Sequence, residues 1–317
     1  MSVLRNDLTR RIAGMVAGAI VTILAASFVI YAGLAAAPGD PVAQILGAKA
    51  TDAARADLRA RLGLGDPLLE RYWHWLTGVL HGDFGTSLTA RQDVTGLLGP
   101  RLSTTVLLVV MAAVLVIVIG IGLGVAGGVS RRGRPVVSVL VGLGVAVPGF
   151  VAANALIGIF AVQLGWFPTY GGGTGVPDQV WHLTLPAVAL AIGYGAYVAQ
   201  LTSAAVSEEA EKEYVTTAYG RGVPAGVVLR RHTLRNAALP VLTASGLAVG
   251  GLVAGTVVVE QTFGIDGIGA LLVRSVSSKD YPVVAAVSLL IVAVFVGVTT
   301  IIDLVQVLLD PRERAKS

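Results

Sequence analysis

The chain has 317 residues, of which 55% are hydrophobic and 13% charged, and its mean hydropathy is +0.78. Because a soluble domain has about 25% charged residues, this composition excludes an ordinary soluble protein and predicts an integral membrane protein. The formal net charge of +4 does not indicate a nucleic-acid partner, since membrane proteins concentrate Lys and Arg in cytoplasmic segments. The absence of cysteine excludes disulfides, cysteine-ligated metals and thiol catalysis.

Six apolar runs of about 20 residues or more predict six transmembrane helices and an all-α, polytopic membrane fold. They cover roughly residues 12–37, 103–129, 135–164, 182–204, 241–260 and 282–309. The first run is longer than the apolar region of a signal peptide, which is about 7–15 residues, so we expect it to be retained as a helix.

The positive charges predict the orientation of these helices. If the N-terminus is cytoplasmic, the segments 1–11, 130–134, 205–240 and 310–317 hold 14 of the 23 Lys and Arg residues, as expected of cytoplasmic segments. The four tryptophans then fall on the opposite side, where their rings suit the membrane interface. Both termini are therefore predicted to be cytoplasmic.

The long loop 38–102 carries helix signals. Thr51 or Asp52 can cap one helix that ends at Gly63, and Asp66 followed by Pro67 can begin another. An apolar stripe on this second helix predicts packing, either on the protein's own spans or the lipid interface, or on a partner protein. The stripe consists of Leu69, Tyr72, Trp73, Leu76 and Leu80.

The polar segment 205–240 interrupts the apolar chain with the stretch EKEYVTTAYGRGVPAGVVLRRHTLRNAALP. Ser207 can cap a first helix, Gly222 suits the position just past its end, and Pro224 can begin a second helix. We expect that second helix to end near Leu239 and Pro240. Three interpretations remain open: a solvated connector, a DNA-binding helix-turn-helix, which a position between two spans disfavours, and a mechanical coupling element.

This segment resembles the coupling loop, or EAA loop, of the permeases of ATP-binding-cassette (ABC) importers, in the dipeptide and oligopeptide branch. The pattern Tyr-x-x-Thr-Ala-x-x-Lys/Arg-Gly is matched from Tyr214 to Gly222, and RHxLRNAxLP is matched from Arg231 to Pro240. Tyr219 and Gly220 depart from the Arg-Ala of the pattern. Four further stretches are similar to the family: APGDPV, LGLGDPLLERYWHWLTGVLHGDFGTSL, VEQTFGIDGIGALLVRSVSSKDYPVV and LLDPRER.

The resemblance implies a type I ABC importer permease fold, one domain over residues 1–317, with the extracytoplasmic loop 38–102 and the coupling loop 205–240. It implies a bacterial cytoplasmic-membrane permease for dipeptides or oligopeptides. Its partners would be a second homologous permease, two ATPases that bind ATP and Mg²⁺, a solute-binding protein and lipid, with no nucleic acid and no cofactor in this chain. The branch also carries nickel, glutathione, and haem or its precursors.

The resemblance also implies two groups of contact residues. The residues expected to couple to the ATPase are Tyr214, Thr217, Ala218, Arg221, Gly222, Arg231, Leu239 and Pro240. Those expected to receive the solute-binding protein are Trp73, Leu76, Phe263 and Gly264.

The sequence has no G-x-x-x-x-G-K-[ST] motif, so we expect no ATPase site and no enzyme activity in this chain. The alternative is an ion-coupled secondary transporter, which would need ionisable groups inside the membrane. Asp303 lies inside a predicted span and Glu260 lies near the outer end of another. We expect Asp303 to have a structural role, and the four scattered histidines do not predict a metal site.

Small residues spaced four apart permit close helix packing. Such pairs, which are compatible with a partner interface, are Gly14/Gly18, Gly120/Gly124, Gly124/Gly128, Gly246/Gly250 and Gly251/Gly255. Pro148, Pro186 and Pro282 mark possible bends at or inside spans.

Overall fold

The computed structural model describes residues 2–37, 42, 46–47, 50–61, 65–130 and 133–309. Most of APGDPV, the predicted helix end at Gly63 and residues 310–317, which include most of the motif LLDPRER, lie outside this part of the chain. Helices dominate the described residues, and Thr86 and Asp93 form an isolated antiparallel β-bridge.

The helices follow one another in chain order. On the N-terminal side they are α1 (Ser2–Ala35), α2 (Asp52–Arg61), α3 (Leu68–Leu80), α4 (Val94–Val129), α5 (Arg134–Ala146), and α6 (Gly149–Leu156), which continues as a π-helical turn over Ile157–Gln163. The remainder are α7 (Val176–Ala210), α8 (Glu213–Gly220), α9 (Ala225–Val228) with a π-helical turn over Leu229–Thr233, α10 (Leu234–Phe263), α11 (Ile268–Ser277) and α12 (Tyr281–Leu309).

Five helices within the described residues are long and apolar enough to cross a membrane, and a bent pair makes a sixth span if it is counted as one. The five are Arg10–Ala35, Val94–Val129, Val176–Ala210, Ala225–Phe263 and Tyr281–Val307. The all-α plan with six membrane-crossing units is confirmed.

The third predicted span, residues 135–164, is wrong as a continuous helix. It forms α5 and α6, which meet at an angle of 101°. Val147 and Pro148 have extended backbone angles, because a proline disfavours the helical region for the residue before it and donates no N–H bond. The predicted bend at Pro148 is therefore confirmed. Pro186 lies inside α7, which remains one helix, and Pro282 lies in the first turn of α12.

Helices α4, α7 and α10 form the centre of the molecule, and α1 packs on α12 at its side. Gly124 illustrates the closeness of α4 and α7, since a Cβ added there would lie 2.4 Å from Cβ of Thr202. Gly120 and Gly128 face α7 in the same way, Gly246 and Gly250 face α12, and Gly251 and Gly255 face the Tyr194 ring. These glycine pairs therefore serve packing within the chain, whereas Gly14 and Gly18 have open space around them.

The long loop is largely helical where it is described. Thr51 caps α2, because its Oγ1 accepts a 3.3 Å hydrogen bond from the N–H of Ala54. The predicted cap at Asp66 is wrong, since α3 begins one residue later than expected and Pro67 occupies the cap position without a side-chain bond. Helix α4 begins at Val94, so the last part of the predicted loop belongs to a spanning helix.

Candidate functional site

The polar segment forms a hairpin of two helical arms, but its first boundary differs from the prediction. Ser207 does not cap a new helix; it lies in the last turn of α7, where its hydroxyl accepts a 2.6 Å bond from Arg134. Glu208 and Glu209 therefore sit at a helix C-terminus, which disfavours anions. Lys212 offsets this cost by pairing with both carboxylates. The chain then breaks at Lys212, which is extended, and α8 begins.

The second boundary is also different. Leu239 and Pro240 do not separate the hairpin from the next span; they lie inside α10. Residues Ala225–Phe263 form one helix of 39 residues that includes the π-helical turn. A proline in a helix removes one backbone hydrogen bond, and here the helix continues past it. The second arm of the hairpin is thus the direct extension of a transmembrane helix.

The turn between the arms has the predicted glycine. Gly222 follows the end of α8 with a φ of +76°, a left-handed conformation that favours glycine. Its N–H bonds to the carbonyl of Tyr219, and the N–H of Val223 bonds to that of Ala218, which together make a Schellman motif. Val223 also packs on the small apolar cluster of Val215, Ala218 and Val228. The cluster fixes the angle between the arms.

A polar network closes the base of the hairpin. The Tyr214 hydroxyl donates to Glu209 at the end of α7 and accepts a 2.9 Å bond from the side-chain amide of Asn236 in α10. Burial raises the pKa of Tyr214, and its bond to Glu209 raises it further. The hydrogen bond to Glu209 raises the pKa of Lys212. At neutral pH the tyrosine therefore stays protonated and the lysine stays charged, so the network keeps its bonds.

The predicted coupling residues are mostly on the surface of the hairpin. Tyr214 and Leu239 are 38% and 37% exposed, whereas Ala218 is buried and supports the turn. Thr217, Arg221, Gly222, Arg231 and Pro240 are exposed. Sequence reasoning missed the supporting residues Glu209, Lys212, Asn236 and Arg134. The match of Asn236 to the branch pattern was the one available signal for them.

The residues predicted to receive the solute-binding protein differ in exposure. Trp73 is 64% exposed, but Leu76 and Phe263 are 7% and 2% exposed and pack inside the chain. Gly264 is left-handed, and a Cβ on it would lie 1.8 Å from the Tyr170 ring. In this conformation Leu76 and Phe263 cannot present their side chains to a partner, and docking at these positions stays a prediction.

Glu260 is fully buried near the C-terminal end of α10. Its carboxylate accepts bonds from the Thr105 hydroxyl at 2.6 Å and from the N–H of Ala270 at 2.9 Å, at the start of α11. A Cβ on Gly267 would lie 2.2 Å from Oε1 of Glu260, so the close approach requires glycine. Glu260 thus anchors a helix N-terminus, where a carboxylate is favoured. Within the described residues, no group of three His, Asp or Glu side chains could hold a metal ion.

A cavity of about 570 Å³ opens beside the α5–α6 bend. Phe150 of α6, Tyr197 of α7 and Leu247 of α10 contribute to its wall, and no lining residue in the described chain is charged. The Tyr194 hydroxyl, also at the wall, donates a 2.7 Å bond to the carbonyl of Gly251 and so ties α7 to α10. Two of the helices that line the cavity, α7 and α10, are the ones joined to the hairpin.

Comparison with known proteins identifies the family. Residues 117–315 match the binding-protein-dependent transport system inner membrane component, and residues 7–109 match the N-terminal part of the same membrane component. The chain belongs to this family. It is an inner-membrane, multi-pass permease subunit of an ABC importer in the peptide branch, and such a permease works with an ATPase and a binding protein.

Two relatives illustrate the branch. The probable peptide ABC transporter permease protein y4tP of Sinorhizobium fredii is 36% identical over 293 residues, which cover 90% of this chain and 93% of the relative. The glutathione transport system permease protein GsiC of Salmonella choleraesuis is 35% identical, with 94% and 97% covered. Among solved structures, the inward-facing MetNI methionine ABC transporter matches with a TM-score of 0.52 at 18% identity, covering 70% of this chain and 96% of that one. This likeness supports the ABC importer permease fold.

Proposed function

We propose that this permease carries small peptides. It would pair with a second homologous permease, two cytoplasmic ATPases that bind ATP and Mg²⁺, and an extracytoplasmic solute-binding protein. Relatives named for peptide and for glutathione transport support this cargo class, since glutathione is itself a short peptide. Nickel and haem precursors, the other cargoes of the branch, remain the alternative.

The observation that carries the proposal is the joint between the hairpin and the spans. One arm continues as α10 without a break, and the Glu209–Tyr214–Asn236 network ties the other arm to α7 and α10. A partner that displaces the hairpin therefore displaces α7 and α10 together. Because these helices line the cavity beside Tyr194, the displacement would change the shape of the pathway.

The lining of the cavity is better suited to a conduit than to a tight binding site. Peptides carry charged termini, and the described wall offers aromatic and aliphatic side chains and no opposite charge. Weak contacts let a solute enter and leave, as conduction requires. Selection of the cargo would then rest mainly with the solute-binding protein, and this chain would supply half of the pathway.

The topology that suits this role has both termini and the segment 205–240 in the cytoplasm, with the loop 38–102 outside, all in a single permease domain. The distribution of Lys and Arg supports it. The ion-coupled alternative is weakened, because the buried Glu260 is already hydrogen-bonded to Thr105 and Ala270. Asp303 is left as the carboxylate that such a mechanism would use.

The test is Tyr214→Phe in the assembled complex, reconstituted in liposomes with its binding protein and a dipeptide. Loss of the hydroxyl removes both bonds of the network but leaves the ring in place. We expect normal assembly and basal ATPase activity, with a several-fold loss of peptide uptake per ATP hydrolysed. Thr216→Ala is the control, because Thr216 is exposed on the same helix and is not one of the residues of the Glu209–Tyr214–Asn236 network. Equal uptake per ATP in Tyr214→Phe and the wild type would contradict the coupling role.

Cargo is tested separately, by comparing a dipeptide, glutathione and Ni²⁺ as stimulants of ATP hydrolysis.

A further inference from the structure

Helix α3 carries an apolar strip that nothing in the described chain covers. Leu69, Trp73 and Leu80 are 67%, 64% and 75% exposed. At 3.6 residues per turn these three side chains fall within an arc of about 40°. The strip lies directly beside the arc of Tyr72 and Leu76, which is buried against the rest of the chain.

A polar face of α3 adjoins the strip on the side opposite the buried arc. Glu70 and His74 are exposed, and with Thr77 they make up this face. A helix with a charged or polar face and an apolar face that bears Trp and Leu is typical of segments that lie in the membrane interface.

Contacts with α1 give the level of α3 relative to the bilayer. The Tyr72 hydroxyl lies 2.7 Å from the hydroxyl of Ser27 and donates a 3.3 Å bond to the carbonyl of Leu24. The apolar run of α1 starts after Arg11, and at 1.5 Å per residue Ser27 is about 24 Å further along. Because the hydrocarbon core is about 30 Å thick, Ser27 lies just inside its far boundary. Helix α3 therefore meets α1 within the acyl region and not above it.

A second contact gives the same level independently. The segment that follows α3 wraps around Asp280, whose carboxylate accepts bonds from Ser87 and Thr89. Asp280 immediately precedes α12, the apolar helix that begins at Tyr281. A Cβ on Gly85 would lie 3.9 Å from Pro282, in the first turn of that span. The C-terminal end of α3 is thus held at the membrane boundary by α12.

The neighbouring surface of α1 is itself apolar and open. Leu24 is 42% exposed and Val29 is 68% exposed. Only 6% of the most apolar stretch of α1 is buried inside the described chain. The strip on α3 continues this lipid-facing surface at the same depth. A water-soluble binding protein approaches from the aqueous side and would meet the polar face with Glu70 and His74 first.

We propose that α3 is an interfacial helix, and that Leu69, Trp73 and Leu80 insert into the acyl chains of the leaflet opposite Arg10 and Arg11. Its occupant is lipid, and not the solute-binding protein expected from the sequence. Anchoring in this leaflet would hold the outer loop at a fixed height over the mouth of the pathway.

The test uses the absence of cysteine, which lets one introduced cysteine carry the single spin label of the full chain. Leu69→Cys and Trp73→Cys report on the strip, and His74→Cys is the matched control on the polar face of the same helix. Power-saturation spectra are recorded in lipid nanodiscs with oxygen, which concentrates in acyl chains, and with a water-soluble nickel chelate. The same spectra are recorded after assembly with the ATPases, the partner permease and the binding protein.

We expect collisions with oxygen to exceed those with the nickel chelate several-fold at positions 69 and 73, with the reverse at position 74, before and after assembly. Equal nickel accessibility at 73 and 74 would overturn the proposal, because the strip would then face water. Protection of position 73 from both reagents after assembly would also overturn it, because a protein would then cover the strip.

A label-free measurement guards against disturbance by the label. Brominated acyl chains quench tryptophan fluorescence only at short range, so wild-type protein should lose more fluorescence in such lipids than Trp73→Phe does. Equal fractional quenching of the two proteins would count against insertion of Trp73.

Discussion

At the scale of single residues, Gly222 offers a clean test of the hairpin turn. The added methyl of Gly222→Ala meets no atom within 4 Å, so its cost is conformational. For a non-glycine residue at a φ of +76° we expect a conformational cost of about 1–2 kcal/mol. The second arm would be misdirected, and uptake per ATP hydrolysed should fall while the complex still assembles.

The matched control for this change is two residues away. Gly220→Ala places a methyl in equally open space at the last residue of α8, without a positive φ. Alanine favours helix over glycine by about 1 kcal/mol, so the control should be neutral or slightly stabilising. If both variants couple as the wild type does, the turn has no part in coupling.

Asp280 offers a second test at this scale. Burial alone would raise the pKa of Asp280, but hydrogen bonds from Ser87, from the Thr89 hydroxyl and from the N–H groups of Leu88 and Thr89 outweigh it and lower the pKa. A lowered folded-state pKa stabilises the fold above the ordinary value of about 3.9. That contribution is lost as the pH falls through the still lower folded-state pKa.

Neutralising Asp280 by mutation should therefore remove, at pH 7, the same contribution to stability that acid would remove below about pH 4. In Asp280→Asn an amide NH₂ faces one of the two backbone N–H donors. We expect the free energy of unfolding to fall by about 1–3 kcal/mol. Amide hydrogen exchange over residues 83–93 should accelerate. Asp83→Asn, at an exposed carboxylate in the same loop, is the control and should change this exchange little. Unchanged exchange in Asp280→Asn would show that the loop is held by other contacts.

At the scale of helices, the contact between α4 and α7 depends on glycine. In Gly124→Ala the methyl would lie 2.4 Å from Cβ of Thr202 and 2.8 Å from the carbonyl oxygen of Ala199, which is backbone and cannot rotate away. We expect the two helices to separate, at a cost of about 1–3 kcal/mol. Thermal unfolding in detergent measures this, and Gly122→Ala, half a turn away with no atom within 4 Å, should unfold as the wild type does. Equal melting of the two variants would contradict the packing described.

Whether a helix exists could be predicted from the sequence, because about 20 apolar residues specify a span without reference to its neighbours. The ends could not be predicted equally well. Helix α7 runs on to Ala210 because Lys212 pairs with the carboxylates of its last turn. Helix α10 runs through Pro240, although a proline in a helix interior is usually a boundary signal. Neither outcome is visible in composition or periodicity.

The candidate site shows the same division. The turn at Gly222 could be predicted, since a glycine followed two residues later by Pro224 is a local signal. The Tyr214 network could not, because Asn236 reaches Tyr214 only once the second arm has folded back. The burial of Leu76 and Phe263 likewise depends on packing partners distant in sequence.

At the scale of the whole molecule, the permease should depend on its partners for energy. Because the sequence lacks a P-loop, the chain reconstituted alone in liposomes should show no ATP-dependent flux of a dipeptide. The complete complex is the positive control. Flux through the chain alone under a proton or sodium gradient would favour the ion-coupled alternative, and Asp303→Asn should then abolish that flux.

The helix Ala225–Phe263 is long enough to act as a lever across the whole membrane. Its 39 residues extend about 58 Å, which exceeds the 40–45 Å of a bilayer with its headgroups. A tilt of about 5° would therefore shift one end by about 5 Å relative to the other. The far end holds Glu260, which fixes the start of α11. With the hairpin in the cytoplasm, as proposed, a small rotation there would displace the opposite end of the helix, beside Glu260, without any change within the helix.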